Sequence, residues 1–335
     1  MPSSLLFIIA SLIWGSTFWA ITQQLGTVPP AVSVAYRFGL AALTLFIVCK
    51  IRGDRLQLPW SLQRWLMLQG FASFSLSYIC TYSSEQYLVS ALVSVLFALM
   101  IIWSPLAERL FFGKPLTWRI WCAALIAISG VVMLFMPSIS SNLKSMDRHH
   151  TGNFLLGLGL ALVATFASTG GNLIVHQIRK QSDNVLLTMA WAMAWGTLWI
   201  SLYASLTGQS WVLPPSWSYW LSLLYLSLFG SVIAFACYFI LIHRISTQKA
   251  VYIGVITPII SVLLSIQLEH YRPGAIEWSG MALCLAGVAW AMKGDSTKPA
   301  VESTGAAESS GAAESTKAVE PTPIPINLSK NPEPS

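Results

Sequence analysis

Apolar residues along the chain gather into long runs that turn residues or charges interrupt. Most of these runs are close to the roughly 20 residues that an α-helix needs to cross the hydrocarbon core of a bilayer. The pattern therefore predicts an all-α membrane protein with ten transmembrane helices. The spans run approximately over Ser4–Thr22, Ala31–Lys50, Trp65–Ser84, Tyr87–Ala107, Trp118–Met136, Asn153–Gln177, Asn184–Leu206, Trp217–His243, Thr247–Leu268 and Trp278–Met292.

Composition supports the same class of protein. The 335 residues are 55% hydrophobic and 10% charged, whereas about a quarter of the residues of a soluble domain are charged. The formal net charge of +6 arises from basic residues that lie singly or in small groups between apolar runs, so they form no nucleic-acid-binding patch. We expect a lipid bilayer and a small-molecule substrate as partners, and no nucleic acid; the oligomeric state is left open.

The basic residues also predict the orientation of the bundle. Loops after odd-numbered spans carry only Lys144, Arg148 and Arg272. Under the positive-inside rule, the basic loops face the cytoplasm, and both termini are predicted to be cytoplasmic. The loops after even-numbered spans, with the C-terminal flank, carry Lys50, Arg52, Arg55, Arg64, Arg109, Lys114, Arg119, Arg179, Lys180, Arg244, Lys249 and Lys293.

An internal repeat is suggested by the spacing of matching residues. Trp121 pairs with Trp278, and Gly130 with Gly287, at one constant offset of 157 residues. Five spans is an odd number, so a second copy must enter the membrane from the side opposite to the first. Inverted repeats of this kind are typical of secondary transporters. Chance similarity between apolar helices is the alternative.

The repeat divides the chain into residues 1–149 and residues 150–293, each a five-helix unit. After Met292 the sequence changes to Ala, Glu, Ser, Thr, Pro and Lys, with the near-repeats "GAAESS" and "GAAEST". Such a segment has no apolar face to bury. Residues 294–335 are predicted to be a disordered cytoplasmic tail.

Three stretches carry a resemblance to a known family: "LIWGSTFWAI", "YRFGLAAL" and "LFGSVIAFACYFILIHRISTQKAVYIGVITPIISVLL". They resemble the EamA type of the drug/metabolite transporter (DMT) superfamily, over about residues 5–292. The resemblance implies ten helices in two inverted five-helix repeats. It also implies export or exchange of small metabolites, commonly amino acids or related compounds, across a bacterial inner membrane. Two positions depart from the family pattern: Ile101 stands where a proline is frequent, and Gly113–Lys114 where a Gly-Glu pair is frequent.

Arg37 is the leading candidate for a functional residue, because it lies inside an apolar run. A central membrane arginine costs about 2.5 to 3.5 kcal/mol on insertion scales, so it requires a partner or a route to water. The predicted topology places Glu85 and Glu269 at its level. Two interpretations stay open: an ion pair or snorkelling to the headgroups, and direct contact with an anionic group of a substrate.

Polar and aromatic residues of three other spans complete the candidate substrate site. Tyr78 and Tyr82 are four residues apart, so they share one face of a helix. Such residues can line a cavity and stack on an organic substrate, or serve as interface anchors, and the pattern does not decide between these roles. The set comprises Trp14, Ser16, Thr17, Tyr78, Tyr82, Ser168 and Asn172.

The remaining motifs bear on energy and on alternative functions. No acidic residue lies in the middle of a span, which favours exchange or downhill efflux over proton antiport. No nucleotide-binding GxxxxGK[ST] loop, HExxH or GxGD motif is present, and no metal-ligand spacing, so we expect no cofactor and no enzyme. A membrane-embedded enzyme, or a receptor or scaffold with a cytoplasmic tail, is the alternative to a transporter.

The predicted orientation can be tested with single cysteines and a membrane-impermeant thiol reagent added to whole cells. Gly53→Cys lies in a basic loop and should be protected from labelling, whereas Ser210→Cys lies in a loop after an odd-numbered span and should react. The wild-type protein, with its native cysteines in apolar runs, measures the background. Labelling of Gly53→Cys with protection of Ser210→Cys would reverse the orientation.

Overall fold

Helices form the regular structure of every described part of the chain. The computed structural model describes residues 2–113, 115–144, 148–214, 216–245 and 253–293, and these ranges contain no β-strand. Within them, seven helices are long and apolar enough to cross a membrane. The prediction of an all-α protein with several spans is therefore confirmed. These seven helices are Ser3–Thr22, Pro30–Ile51, Ser90–Phe112, Trp118–Ser138, Gly152–Arg179, Val185–Leu206 and Trp217–Tyr238.

The helices follow one another with short connections, and two of the helical runs contain a π-helical segment. In chain order the helices are α1 (Ser3–Thr22), α2 (Pro30–Ile51), α3 (Trp60–Gln69), α4 (Ser77–Ser84), α5 (Ser90–Ala98), α6 (Met100–Phe112), α7 (Trp118–Lys144), α8 (Arg148–Arg179), α9 (Val185–Leu206), α10 (Trp217–Leu224), α11 (Ala234–Ile245), α12 (Ile253–Leu268) and α13 (Ala275–Lys293). Segment π1 (Gly70–Leu76) joins α3 to α4, and π2 (Tyr225–Ile233) joins α10 to α11.

Three of the ten predicted spans lie on shorter or interrupted helices. They correspond to the helical run 60–84, to α12 and to α13, of which the last two provide apolar helices of 10–17 residues. Ten spans therefore stays a prediction. The first residues of the predicted span Thr247–Leu268, and the whole predicted tail after residue 293, lie outside the described residues.

The fourth predicted span is displaced toward the C-terminus in the structure. Hydropathy predicts Tyr87–Ala107, but the helical run begins at Ser90, because Tyr87 and Leu88 belong to a turn whose N–H groups bond to the Ser84 carbonyl, each at 2.9 Å. It ends at Phe112, where Gly113 adopts a left-handed conformation with φ of 65°. Charges end an apolar run, whereas backbone conformation ends a helix.

The predicted loop from Pro137 to Gly152 is also largely helical. Helix α7 continues past its apolar part to Lys144, and α8 begins at Arg148. Polar residues can extend a helix beyond the membrane, so hydropathy underestimates helix length there.

Close packing of α7 against α13 depends on glycines in both helices. A Cβ atom on Gly287 would lie 2.7 Å from the backbone nitrogen of Ala127, and one on Gly130 would overlap the backbone of Cys284. The 157-residue offset that relates Gly130 to Gly287 also relates Ala127 to Cys284. The contact of Gly287 with Ala127 is thus repeated, with the two helices exchanged, by the contact of Gly130 with Cys284.

Other helix contacts are also mirrored between the two halves of the chain. Helix α2 packs on π2, and α9 packs on π1, while α2 and α9 pack directly on each other. In the same way α1 packs on π2 and α11, and α8 packs on π1 and α4. The offset of 157 places residues 70–76 at 227–233, within π2. The two π-helical segments therefore occupy matching places along the two halves.

The glycine crossing predicts the effect of one added methyl group. Gly287→Ala should destabilise the protein by about 1 to 3 kcal/mol, because the two helices must move apart to admit the Cβ atom. Thermal unfolding of the detergent-purified protein measures this change. Gly159→Ala is the matched control, since nothing lies within 4 Å of a Cβ atom on Gly159 of α8. Equal losses of stability in Gly287→Ala and Gly159→Ala would contradict the requirement for glycine where α7 and α13 cross.

Candidate functional site

Arg37 of α2 lies inside the bundle and does not snorkel to its surface. Its side chain is 2% exposed. The guanidinium donates hydrogen bonds from Nε to the Ser231 hydroxyl at 3.3 Å and from Nη1 to the Tyr82 hydroxyl at 3.5 Å. The ring of Tyr78 faces its central carbon at 4.7 Å, and that of Phe38 at 5.3 Å. Neutral hydroxyls and aromatic faces thus surround the charge.

Neither candidate carboxylate forms an ion pair with Arg37. Within the described residues, Arg37 lies at ion-pair distance from no carboxylate, whereas Arg52 pairs with Asp54 at 3.9 Å. Glu85 and Arg37 interact electrostatically without such contact, and Glu269 bonds to the hydroxyls of serines instead. The sequence places these charges at one level, but it does not reveal whether their side chains meet.

The contacts of Arg37 leave much of its bonding capacity unused. Charge-assisted hydrogen bonds are usually about 2.7 to 2.9 Å long, so bonds of 3.3 and 3.5 Å are weak. A guanidinium carries five N–H groups, and within the described residues its Nη2 has no hydrogen-bond partner. This arginine can bind a stronger acceptor.

Tyr82 links Arg37 to a residue that the sequence analysis missed. Its hydroxyl accepts from Arg37 and donates to Oε1 of Gln24 at 3.0 Å. Gln24 is fully buried, and its Nε2 has no partner among the described protein atoms. Gln24 lies in the short connection after α1, where a glutamine is expected at the membrane interface. Only its hydrogen bond with Tyr82, 58 residues away, identifies Gln24 as a neighbour of this site.

Segment π2 brings Gly230 and Ser231 against the arginine. A Cβ atom on Gly230 would lie 3.4 Å from Nη2 of Arg37 and 2.9 Å from Cγ2 of Thr17. The indole of Trp14 donates to the Gly230 carbonyl at 3.2 Å. Helix α1 therefore reaches this site because residue 230 has no side chain. We call Arg37, Tyr78, Tyr82, Gln24, Gly230 and Ser231 the Arg37 cluster; Trp14 and Thr17 lie at its edge.

The π-helical conformation positions Ser231 for this contact. The Ser231 hydroxyl donates to the carbonyl of Leu226, five residues earlier, at 3.0 Å, so its oxygen remains available to accept from Arg37. Isolated π-helical turns are frequent at functional sites.

Three other predicted site residues lie outside the Arg37 cluster. The Ser16 hydroxyl lies 2.6 Å from that of Tyr225, and the Ser168 hydroxyl 2.6 Å from that of Ser77, so both join neighbouring helices. Asn172 lines a separate cavity of about 290 Å³ between the C-terminal ends of α6 and α8. This cavity is also lined by Glu108, Phe112, Leu173, Val175, His176, Arg179 and Lys180.

The Arg37 cluster is suited to binding an anionic group. A guanidinium can donate two parallel hydrogen bonds to a carboxylate, which an ammonium group cannot match. The Tyr78 ring offers an apolar face beside it, and Gln24 offers an unpaired amide donor. Over the described ranges, no group of three or more His, Cys, Asp or Glu side chains could hold a metal ion.

Comparisons with known proteins give a consistent family match. The model of the "EamA-like transporter family" matches residues 1–136 and again residues 155–293. The "Uncharacterized inner membrane transporter YedA" of Escherichia coli (strain K12) is 24% identical over 289 residues, which cover 86% of this chain and 90% of that protein. "Protein PagO" of Salmonella typhimurium is 25% identical over 287 residues, 84% of this chain and 89% of that protein.

The fold is also similar to that of a protein whose crystal structure has been solved. It has a TM-score of 0.59 and 18% sequence identity, and the alignment covers 86% of this chain and 96% of that chain. At this identity the likeness shows the fold alone.

The hydroxyl of Tyr82 should contribute to stability through its two hydrogen bonds. Tyr82→Phe leaves the Gln24 amide oxygen buried without a partner, which should cost about 1 to 3 kcal/mol. Thermal unfolding in detergent measures the loss. Tyr203→Phe is the control, because Tyr203 is 46% exposed, and it should change stability by less than about 0.5 kcal/mol. An unchanged unfolding midpoint in Tyr82→Phe would exclude the link.

Proposed function

The chain belongs to the EamA-like transporter family, and from this premise we propose that it is a secondary transporter of small organic metabolites that works by alternating access. It is a multi-pass protein of the bacterial inner membrane, as its apolar helices and its relatives indicate. The observation that carries the proposal is the Arg37 guanidinium, which is buried, only weakly bonded and, within the described residues, at ion-pair distance from no carboxylate. Such a group is a receptor for an anionic part of a substrate.

We propose that ten helices form two inverted five-helix repeats, residues 1–149 and 150–293, with both termini in the cytoplasm. The family model matches the chain twice, once in each half. The mirrored contacts of α7 with α13, and the matching positions of π1 and π2, support the same division. In inverted-repeat transporters the substrate site lies where the two copies meet. The Arg37 cluster has this position, because Arg37 belongs to the first half and Ser231 to the second.

The proposed substrate carries a carboxylate or an equivalent anionic group, as amino acids and related compounds do. Two parallel bonds from Arg37 to a carboxylate would replace the long bonds to Tyr82 and Ser231. The faces of Tyr78 and Trp14 provide apolar contact for the rest of a small organic molecule. Neither YedA nor PagO is named with a substrate, so this class rests on the Arg37 cluster itself.

Export or exchange is the proposed mode of transport. No nucleotide-binding motif is present in the sequence, so transport would be driven by solute gradients. Among the described residues no observation favours the enzyme or scaffold alternatives, and YedA, to which the chain is similar, is named as a transporter.

An efflux assay in liposomes tests the proposal. Liposomes containing the purified protein and a metabolite mixture should release one or more carboxylate compounds. Arg37→Ala should abolish release, and Arg37→Lys should reduce its rate by about tenfold or more, because lysine cannot make the paired bonds of arginine. Mass spectrometry of the external medium measures release.

Arg64→Ala is the matched control, since Arg64 is exposed near the start of α3. It should transport as the wild type does. Normal transport by both Arg37 variants, with lower protein yield, would make Arg37 a structural residue and overturn the proposed site.

A further inference from the structure

Glu85 is a buried carboxylate that no part of the proposed transport site uses. It follows α4 directly, three residues after Tyr82, and its side chain is 6% exposed. Neither Oε1 nor Oε2 has a hydrogen-bond partner among the described protein atoms. A negative charge without donors in such surroundings is unfavourable by several kcal/mol. Binding of a positive ligand, such as a proton or a metal cation, would therefore stabilise Glu85 in this position.

The charged and titratable groups that face Glu85 come from three elements. Arg37 of α2 and Glu269, which follows α12, interact with it electrostatically, and Tyr82 belongs to its own helix. Arg37 attracts the Glu85 charge from outside ion-pair distance, whereas Glu269 repels it. Burial and the repulsion from Glu269 therefore disfavour the negative charge of Glu85, and only the attraction to Arg37 favours it.

Glu269 differs from Glu85 in its hydrogen bonds. The Ser90 hydroxyl donates to its Oε2 at 2.6 Å, and the Ser265 hydroxyl bonds to the same oxygen. Hydrogen bonds of this kind stabilise a carboxylate in its ionised form. When two carboxylates are neighbours, the ionised one disfavours a second negative charge, and one proton then resides on the less solvated partner.

We propose that Glu85 is a proton-binding site, in which its carboxylate takes up one proton beside the carboxyl group of Glu269. A proton is the cation that fits best, because the hydroxyls of Ser90 and Ser265 are already bonded to Glu269 and leave few oxygen ligands for a larger ion. The sequence pattern shows no acidic residue in the middle of a span. It does not show that a glutamate at the end of a span is enclosed by the bundle.

Protonation of Glu85 would change the affinity of the Arg37 cluster for anions; this step rests on the proposed function. Ionised Glu85 partly cancels the field of Arg37, and protonated Glu85 does not. The proton and an anionic substrate therefore bind cooperatively, since linkage is reciprocal. A substrate whose only charge is one carboxylate would cross together with one proton and carry no net charge, so proton and substrate move in the same direction.

Infrared spectroscopy tests the proton site without any substrate. In a pH titration of the purified wild type, the C=O stretch of a protonated carboxyl group should persist at pH values at which an exposed glutamate has already lost its proton. The band should be absent in Glu85→Gln and unchanged in the control Glu277→Gln. In Glu269→Gln it should titrate at lower pH, because removal of the neighbouring charge favours ionised Glu85.

Three outcomes would overturn the proposal. They are a wild type without this band, a band that survives in Glu85→Gln, and loss of the band when sodium replaces choline as the salt cation. The last would assign the site to an alkali ion. Should Glu85→Gln fail to fold, the shift in Glu269→Gln decides the question, and an unshifted titration there counts against a shared proton site.

A proton-flux measurement tests the direction of coupling. Liposomes hold the metabolite mixture and a trapped pH-sensitive dye, and the lumen should become more alkaline as substrate leaves with protons. Glu85→Gln should release substrate without this change. Acidification of the lumen would show antiport and overturn the coupling. If no metabolite moves at all, the proposed function fails while the infrared result for Glu85 still stands.

Discussion

A positive charge held within the bundle, without an ion-pair partner in the described residues, is the constraint on which the rest of the site depends. Only 2% of the surface of Arg37 is exposed. Its surroundings provide two aromatic faces and two hydroxyl groups, which stabilise a cation without neutralising it. A carboxylate at contact distance would neutralise this charge. The arrangement keeps the arginine buried and charged, with N–H groups left over for a stronger acceptor.

Several unusual local features follow from this need to place acceptors around one guanidinium. Gly230 leaves room for Nη2, and the π-helical turn aims the Ser231 hydroxyl at Nε. Tyr82 extends the contacts to Gln24. Each feature alone has a packing explanation, but together they converge on one side chain.

The scaffold around the site has matching halves, whereas the site does not. Helix α9 packs on π1 as α2 packs on π2, yet between Asp183 and Arg244 the chain has no charged residue. Instead of an arginine, α9 has tryptophans four residues apart whose indole N–H groups donate to the run 56–67. These bonds join Trp191 to the Leu56 carbonyl, Trp195 to Oε1 of Gln63, and Trp199 to the Met67 carbonyl. Helix α2 of the first half thus carries a buried charge, whereas the tryptophans of α9 bond that helix to the run 56–67.

The sequence by itself determined the class of protein and the positions of most helices, and it singled out Arg37 as a charge within an apolar run, because hydrophobic burial and the cost of a membrane charge are local properties. It also placed Tyr78 and Tyr82 on one face, and both contact Arg37. Helical periodicity, however, does not tell which neighbour that face meets. Only the tertiary structure decided that Ser231, 194 residues away, bonds to Arg37 and that Glu85 is buried with no hydrogen-bond partner among the described residues. Such contacts depend on how helices rotate and approach one another, which the order of apolar and polar residues does not specify.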